Sequence, residues 1–135
     1  MFCIQYFLMS TSGNEAYKIV IVGESFVGKT AIIGRLIDKT FHTEFESTIG
    51  VEFRTYNVMA GDREVKLNIW DTAGQEKFRS VSKAYFRNAQ GALLVFSLTD
   101  QKSFEALDGW LNDLQSLCTP NAVVLLLGNK SDLKD

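Results

Sequence analysis

Residues 23–30 carry the strongest chemical signal in the sequence, because Gly-Glu-Ser-Phe-Val-Gly-Lys-Thr fits the pattern G-x-x-x-x-G-K-[ST]. The glycines let the backbone curl around a phosphate group, and a helix that begins there adds partial positive charge. Lys29 would reach the outer phosphates, and the Thr30 hydroxyl would bind a magnesium ion that holds them. The residues expected at the phosphates are Ser25, Phe26, Val27, Gly28, Lys29, Thr30 and Ala31. The segment predicts a nucleoside triphosphate ligand without saying which one.

A second polar segment, residues 71–75, reads Asp-Thr-Ala-Gly-Gln and follows a strand-like run. Asp71 is suited to hold Mg²⁺ through its water shell, since this ion keeps several waters and uses few protein ligands. Gly74 has no side chain, so its N–H group can approach a γ-phosphate closely. Gln75 carries a donor and an acceptor, which suits it to orient an attacking water. For Asp71 alone a polar turn is the better interpretation, but the whole segment favours the metal and phosphate roles.

A third segment, residues 129–132, reads Asn-Lys-Ser-Asp and follows the last apolar run. The Asp132 carboxylate can accept two hydrogen bonds from the N1–H and N2–H₂ edge of guanine, whereas adenine lacks that pair of donors. Asn129 would tie this segment to residues 23–30, and the stem of Lys130 would lie along the base. Sites built around hydrogen bonds to a substrate reject analogues that lack them. We therefore expect guanine specificity.

Alternating apolar patterns predict the elements that must position these segments. The predicted strands are 17–22, 51–59, 64–70, 91–97 and 122–127, and the predicted helices are 29–38, 77–88 and 101–117. The last strand is almost continuously apolar, which predicts burial on both faces. Gly61 and Asp62 predict a hairpin turn between the second and third strands. The alternation of the other predicted strands and helices predicts a mostly parallel α/β sheet with helices on both faces. Ligands bind at the carboxyl ends of such strands, where all three polar segments lie.

The third predicted helix, 101–117, is expected to begin at an Asp100 N-cap. Its predicted apolar face comprises Phe104, Leu107, Leu111, Leu114 and Leu117. Glu24, inside the first polar segment, is interpreted as a surface charge.

Composition excludes several classes of protein. The 135 residues carry 14 basic and 16 acidic side chains, a net charge of −2, which gives no case for nucleic-acid binding. Two cysteines, Cys3 and Cys118, are too few for a disulfide framework. Residues 1–9 are apolar but lack the basic start of a signal peptide and the length of a membrane span. We expect residues 1–16 to be a flexible extension, with a short membrane-adhering anchor as the alternative.

From residue 17 to 135 the chain resembles a small GTPase of the Ras superfamily, with the P-loop NTPase fold, and within it the Rab branch. Besides the three polar segments, residues 47–53, 70–80 and 85–89 carry this resemblance. It implies that the Thr48 hydroxyl completes the Mg²⁺ shell, that Phe41 packs against guanine and that Phe45 covers the nucleotide. It also implies an aromatic triad presented to partner proteins, formed by Phe53, Trp70 and Tyr85.

The resemblance implies a molecular switch in vesicle trafficking that binds GTP or GDP with Mg²⁺ and hydrolyses GTP slowly. Lys29, Gly74 and Gln75 would then be the catalytic residues. The implied partners are effectors, an exchange factor and a GTPase-activating protein. The implied location is the cytoplasm, including the cytosolic face of endomembranes.

The sequence departs from the family pattern in three ways. Phe26 stands where the family has a small residue, and the chain ends before the family's Ser-Ala-Lys loop, final strand and final helix, without a prenylated cysteine pair. Residues 17–135 are therefore interpreted as a truncated G domain whose strand at 123–127 forms an apolar edge. We expect either reduced stability or coverage of this edge by a second copy through dimerisation or segment exchange. Phe26 and the missing Ser-Ala-Lys loop motivate the alternative hypothesis, a binding module that engages effectors or regulators with weak or no nucleotide binding.

Overall fold

The computed structural model describes residues 16–41, 51–72, 74 and 79–133. Its strands are β1 (Ala16–Val22), β2 (Val51–Ala60), β3 (Arg63–Thr72), β4 (Gly91–Ser97) and β5 (Val123–Asn129). Its helices are α1 (Lys29–Ile37), α2 (Arg79–Phe86), α3 (Gln101–Glu105) and α4 (Leu107–Leu117), followed after β5 by the 3₁₀ turn Ser131–Leu133. None of the helices in this part of the chain combines the length and apolar character that a membrane crossing needs.

The described strands form one sheet in the order β2-β3-β1-β4-β5. β1 lies parallel to both β3 and β4, β5 lies parallel to β4, and only β2 runs antiparallel to its neighbour. The turn between β2 and β3 contains Gly61, whose φ of 63° lies in the left-handed region that glycine adopts without strain. The predicted mostly parallel α/β sheet and its hairpin are confirmed.

Two apolar clusters cover the two faces of the sheet. Side chains alternate along a strand, so Ile19 and Ile21 of β1 face one way and Val20 and Val22 face the other. The first pair packs with Ile33 of α1 in one cluster, whereas the second pair packs in the other. The second cluster also contains Phe86, Leu94, Trp110 and Leu114. The central strand is thereby buried on both faces.

The prediction of one helix over 101–117 is wrong, because the structure has two helices that meet at Ala106. Ala106, in the αR conformation, is both the C-cap of α3 and the N-cap of α4. Most of the predicted apolar face nevertheless packs on the second cluster, where Leu114 is buried and Leu107, Leu111 and Leu117 are partly buried. Phe104 is the exception, at 54% exposed, and Trp110 is a further buried residue of α4. The predicted N-cap is confirmed, since the Asp100 carboxylate accepts a 3.0 Å hydrogen bond from the Lys102 N–H group.

The expected burial of the last strand on both faces is also wrong. Leu126 is 58% exposed, and Leu127 is exposed as well. β5 pairs with β4 on one side and is the outer strand of the described sheet, so fewer neighbours cover it. These leucines line an apolar groove of about 450 Å³ that reaches to α1.

Candidate nucleotide-binding site

The loop at 23–28 joins β1 to α1 and needs glycine at both ends. Gly23 has a φ of 150°, and a Cβ atom there would lie 2.2 Å from the carbonyl oxygen of Val95. Gly28 has a φ of 100°, and a Cβ atom there would lie 2.3 Å from Nδ2 of Asn129. Phe26 adopts a positive φ of 62° and turns its ring outward, so its side chain is exposed. The loop therefore curls as a phosphate-binding loop does, and its glycines lie in close contact with Val95 and Asn129.

Lys29 turns back into the concave side of this loop. Its Nζ donates hydrogen bonds to the carbonyl oxygens of Gly23, at 2.9 Å, and Glu24, at 2.8 Å. The side chain is only 6% exposed, and this burial lowers the pKa of Lys29 to about 8, against the opposing charges of Asp71 and Glu24. An anion bound in this curled loop would stabilise the charged form of the buried Lys29 ammonium group.

Asp71 lies beside Thr30 and fits a magnesium ion. It belongs to β3 itself, because this strand extends two residues beyond the predicted end. The carboxyl is 1% exposed, and its Oδ1 has no hydrogen-bond partner among the described residues. Burial raises the pKa of Asp71, Glu52 adds to the rise, and the Thr30 hydroxyl and Lys29 oppose it. A buried carboxylate oxygen beside a hydroxyl is a ligand set that suits Mg²⁺, which takes few protein ligands and keeps its waters.

Gly74 lies directly against the loop at 23–28, which we name the phosphate loop. A Cβ atom at this position would come within 2.4 Å of the Ser25 nitrogen and 2.4 Å of the Glu24 carbonyl carbon. Only a residue without a side chain can bring its backbone so close. The Ser25 hydroxyl oxygen is buried, and no hydrogen-bond partner for it lies in the ranges that the structure describes.

The Asn-Lys-Ser-Asp segment at 129–132 meets the same loop from β5. Asn129, the last residue of β5, donates a 2.9 Å hydrogen bond from Nδ2 to the carbonyl oxygen of Val27. Lys130 donates a 2.6 Å hydrogen bond from Nζ to the carbonyl oxygen of Phe26. Asp132 lies exposed in the 3₁₀ turn that follows. Residues more than 100 positions apart are thus held side by side.

Of the other residues predicted from the sequence to bind nucleotide or metal, the structure describes some but not all. Ala31 lies half-buried in the first turn of α1, and Phe41 is exposed beyond the end of that helix. Thr48, Gln75 and Phe45 lie outside the described residues.

Tilted ring contacts join Phe53, Trp70 and Tyr85, with interplanar angles of 50° and 33°. The centroids of Phe53 and Trp70 are 4.6 Å apart, and those of Trp70 and Tyr85 are 5.0 Å apart. Phe53 is exposed, while Trp70 and Tyr85 are half-buried. The three residues of the predicted aromatic triad therefore share one surface across β2, β3 and α2.

Comparison with known proteins agrees with this geometry. The model of the Ras family matches residues 18–135. The chain belongs to the Ras family. Its relatives include the Ras-related protein RABA5a of Arabidopsis thaliana, 47% identical over 92% of this chain and 56% of the relative. They also include Rab-2B of Dictyostelium discoideum, 43% identical over 93% of this chain and 62% of the relative, and human Rab-4B, 45% identical over 93% and 59%.

These Rab names confirm the resemblance to the Rab branch. The Ras-family chain spans little more than half the length of the relatives it matches.

One contact of this Ras-family chain differs from the sequence-based interpretation of Glu24 as a surface charge. The Glu24 carboxylate accepts a 2.7 Å hydrogen bond from Nε1 of Trp110. The available signal was Trp110 itself, because a buried indole N–H needs an acceptor. Its acceptor could not be identified from the sequence, since the two residues are 86 positions apart.

Proposed function

We propose that this chain binds GTP and GDP together with Mg²⁺ and acts as a guanine-nucleotide switch. The hydrogen bond from Asn129 Nδ2 to the Val27 carbonyl oxygen is the observation that carries the proposal. It joins the segment suited to a guanine base to the loop suited to phosphates. One ligand with a base at one end and phosphates at the other matches this pairing.

Lys29, Thr30 and Asp71 are the proposed phosphate and metal residues. Bound Mg²⁺ would neutralise phosphate charge and hold the outer phosphates in place. Asp71 Oδ1, buried and without a partner in the described part of the chain, and the adjacent Thr30 hydroxyl would hold the ion, with Thr48 completing the set. Lys29 would exchange its two carbonyl acceptors for phosphate oxygens, and the loop backbone would donate its N–H groups.

Slow hydrolysis of GTP is the proposed reaction. Gly74 would donate its backbone N–H to the γ-phosphate, since it already lies against the phosphate loop. Gln75 would orient the attacking water. Release of the terminal phosphate would remove this hydrogen bond of Gly74 and so change the surface around it.

The proposed setting is vesicle trafficking on the cytosolic face of endomembranes. The Rab names of the relatives and the ring contacts of exposed Phe53 with half-buried Trp70 and Tyr85 support it. Aromatic side chains are enriched where proteins meet. Effectors, an exchange factor and a GTPase-activating protein are the proposed partners of this surface.

Exchanging Asp132 for asparagine tests the guanine assignment. The amide introduced at this position would donate to the O2 of xanthine where the carboxylate accepts from the N2–H₂ of guanine. We expect Asp132→Asn to lose GDP affinity by on the order of a hundredfold or more and to gain affinity for xanthosine diphosphate, as measured by competition against fluorescent GDP. Asp108→Asn, an exposed position on α4, is the matched control. Unchanged base preference in Asp132→Asn would contradict guanine recognition by this residue.

A further inference from the structure

Trp110 contacts both Glu24 of the phosphate loop and Arg79 of α2, which are distant in sequence. It is 1% exposed within α4, and its Nε1 donates to Oε2 of Glu24 at 2.7 Å. An indole nitrogen is a donor only, and a carboxylate is a strong acceptor for it. Without Glu24, the buried N–H would be left unpaired at a considerable cost.

The face of the same indole carries Arg79. Cζ of Arg79 lies 4.3 Å from the centroid of the Trp110 ring. The guanidinium is fixed there by Asp113 of α4, whose Oδ2 accepts from Nε at 3.1 Å and from Nη2 at 2.9 Å. Gly109 leaves the space for this arrangement, since a Cβ atom there would lie 3.1 Å from Nη2. Arg79 is the first residue of α2, so the stack anchors the start of that helix to α4.

Glu24 is the point at which the phosphate-loop contacts converge. Its carbonyl oxygen accepts a hydrogen bond from Nζ of Lys29, and its carbonyl carbon lies where a Cβ atom of Gly74 would collide. The side-chain bond to Trp110 therefore holds the peptide against which Lys29 and Gly74 rest. A shift of Glu24 would move both.

We propose that Trp110 is a positioning residue that couples the phosphate loop, through Glu24, to the start of α2, through Arg79. This inference rests on the proposed function, because the coupled event is retention of guanine nucleotide. Movement of α2, for example when a partner protein binds it, would pull on the phosphate loop and change the rate of nucleotide release.

The test compares the rate at which fluorescent GDP is released, in excess Mg²⁺, from the unmodified chain and from variants of Glu24 and Trp110. Trp110→Phe keeps a ring in the core but removes the N–H group, and Glu24→Ala removes the acceptor while leaving the core intact. We expect each to release GDP at least about fivefold faster, and the double variant to release it no faster than the faster single variant. Glu24→Gln keeps an acceptor oxygen and should restore slow release. Glu105→Ala, an exposed glutamate on α3, is the matched control.

A spectroscopic measurement separates positioning from simple core packing. The chain has two tryptophans, so Trp70→Phe leaves Trp110 as the sole indole emitter. We expect its emission to change when GDP and Mg²⁺ are removed, and this change to disappear when Glu24→Ala is added.

Release rates and emission that are unaffected by Glu24→Ala, in a chain that binds GDP, would overturn the coupling alone. Failure of the unmodified chain to take up fluorescent GDP would overturn both the coupling and the proposed function.

Discussion

The Thr30 hydroxyl donates a 2.5 Å hydrogen bond to Oδ2 of Asp71, joining the first turn of α1 to the last residues of β3. The contact holds a hydroxyl and a carboxylate together, and it leaves Oδ1 of Asp71 buried without a partner in the described ranges. Burial also raises the pKa of this carboxyl, so the charged form lacks sufficient stabilisation in the protein alone. A divalent cation would supply it.

Asp71→Asn should therefore make nucleotide retention insensitive to Mg²⁺. In the unmodified chain we expect chelation of Mg²⁺ to accelerate GDP release by about tenfold or more, since loss of a metal ligand or its support commonly costs that much. In Asp71→Asn we expect fast release with and without Mg²⁺, measured by the fluorescence of released GDP. Asp108→Asn, on the surface of α4, should behave as the unmodified chain does. A chelator effect that survives in Asp71→Asn would contradict a metal role for this residue.

Nucleotide affinity should fall as pH rises through the pKa of Lys29. Without a ligand, burial lowers that pKa to about 8, so Lys29 loses its proton above this pH. Phosphates beside the ammonium would raise the pKa again, so binding above pH 8 must take up a proton. The affinity should then decrease by up to about tenfold per pH unit. Titration with fluorescent GDP from neutral to alkaline pH checks this slope.

Lys29→Met is the companion variant for the pH measurement. It should bind GDP weakly, and its affinity should lack the alkaline fall. An equally steep fall in Lys29→Met would assign the pH dependence to another group.

Gly74→Ala should impair GTP hydrolysis by displacing Gly74 from the phosphate loop. Its Cβ atom would meet the backbone of Glu24 and Ser25 at 2.4 Å, and backbone atoms cannot yield as a flexible side chain can. We expect a loss of phosphate release of on the order of a hundredfold in single-turnover assays, comparable to the loss of one oriented donor at a reacting group.

Gly34→Ala is the control for this substitution. An added Cβ at Gly34 in α1 meets nothing within 4 Å, so we expect normal hydrolysis and a free energy of unfolding raised by up to about 1 kcal/mol. Hydrolysis that is equally impaired in both variants would contradict the specific role of Gly74.

Much of the sheet could be predicted because strand periodicity is a local property. β1 begins one residue earlier than predicted and β4 has the predicted bounds. The break between α3 and α4 could not be predicted, since it occurs at Ala106, the residue type that favours helices most. Trp110 of α4 packs in the second apolar cluster, a contact between separate elements that local propensity does not reveal.

The candidate site divides in the same way. The segments around Lys29, Asp71 and Asn129 were recognisable because their residue types and spacing carry the chemistry. The Glu24–Trp110 hydrogen bond and the stacking of Arg79 were not recognisable, because they join separate elements and depend on the fold. Phe26 has an exposed ring and a positive φ within the loop, and its expected place beside the phosphates stays a prediction.

Identification of the nucleotide that leaves the purified chain on denaturation tests guanine-nucleotide binding most directly. Anion-exchange chromatography separates GDP, GTP, ADP and ATP without any added ligand. We predict GDP or GTP in an amount stoichiometric with the chain, and little of either from Lys29→Met. Adenine nucleotide in that amount, or no nucleotide together with no uptake of fluorescent GDP in Mg²⁺, would contradict the assignment, and the second result would favour a nucleotide-independent binding module.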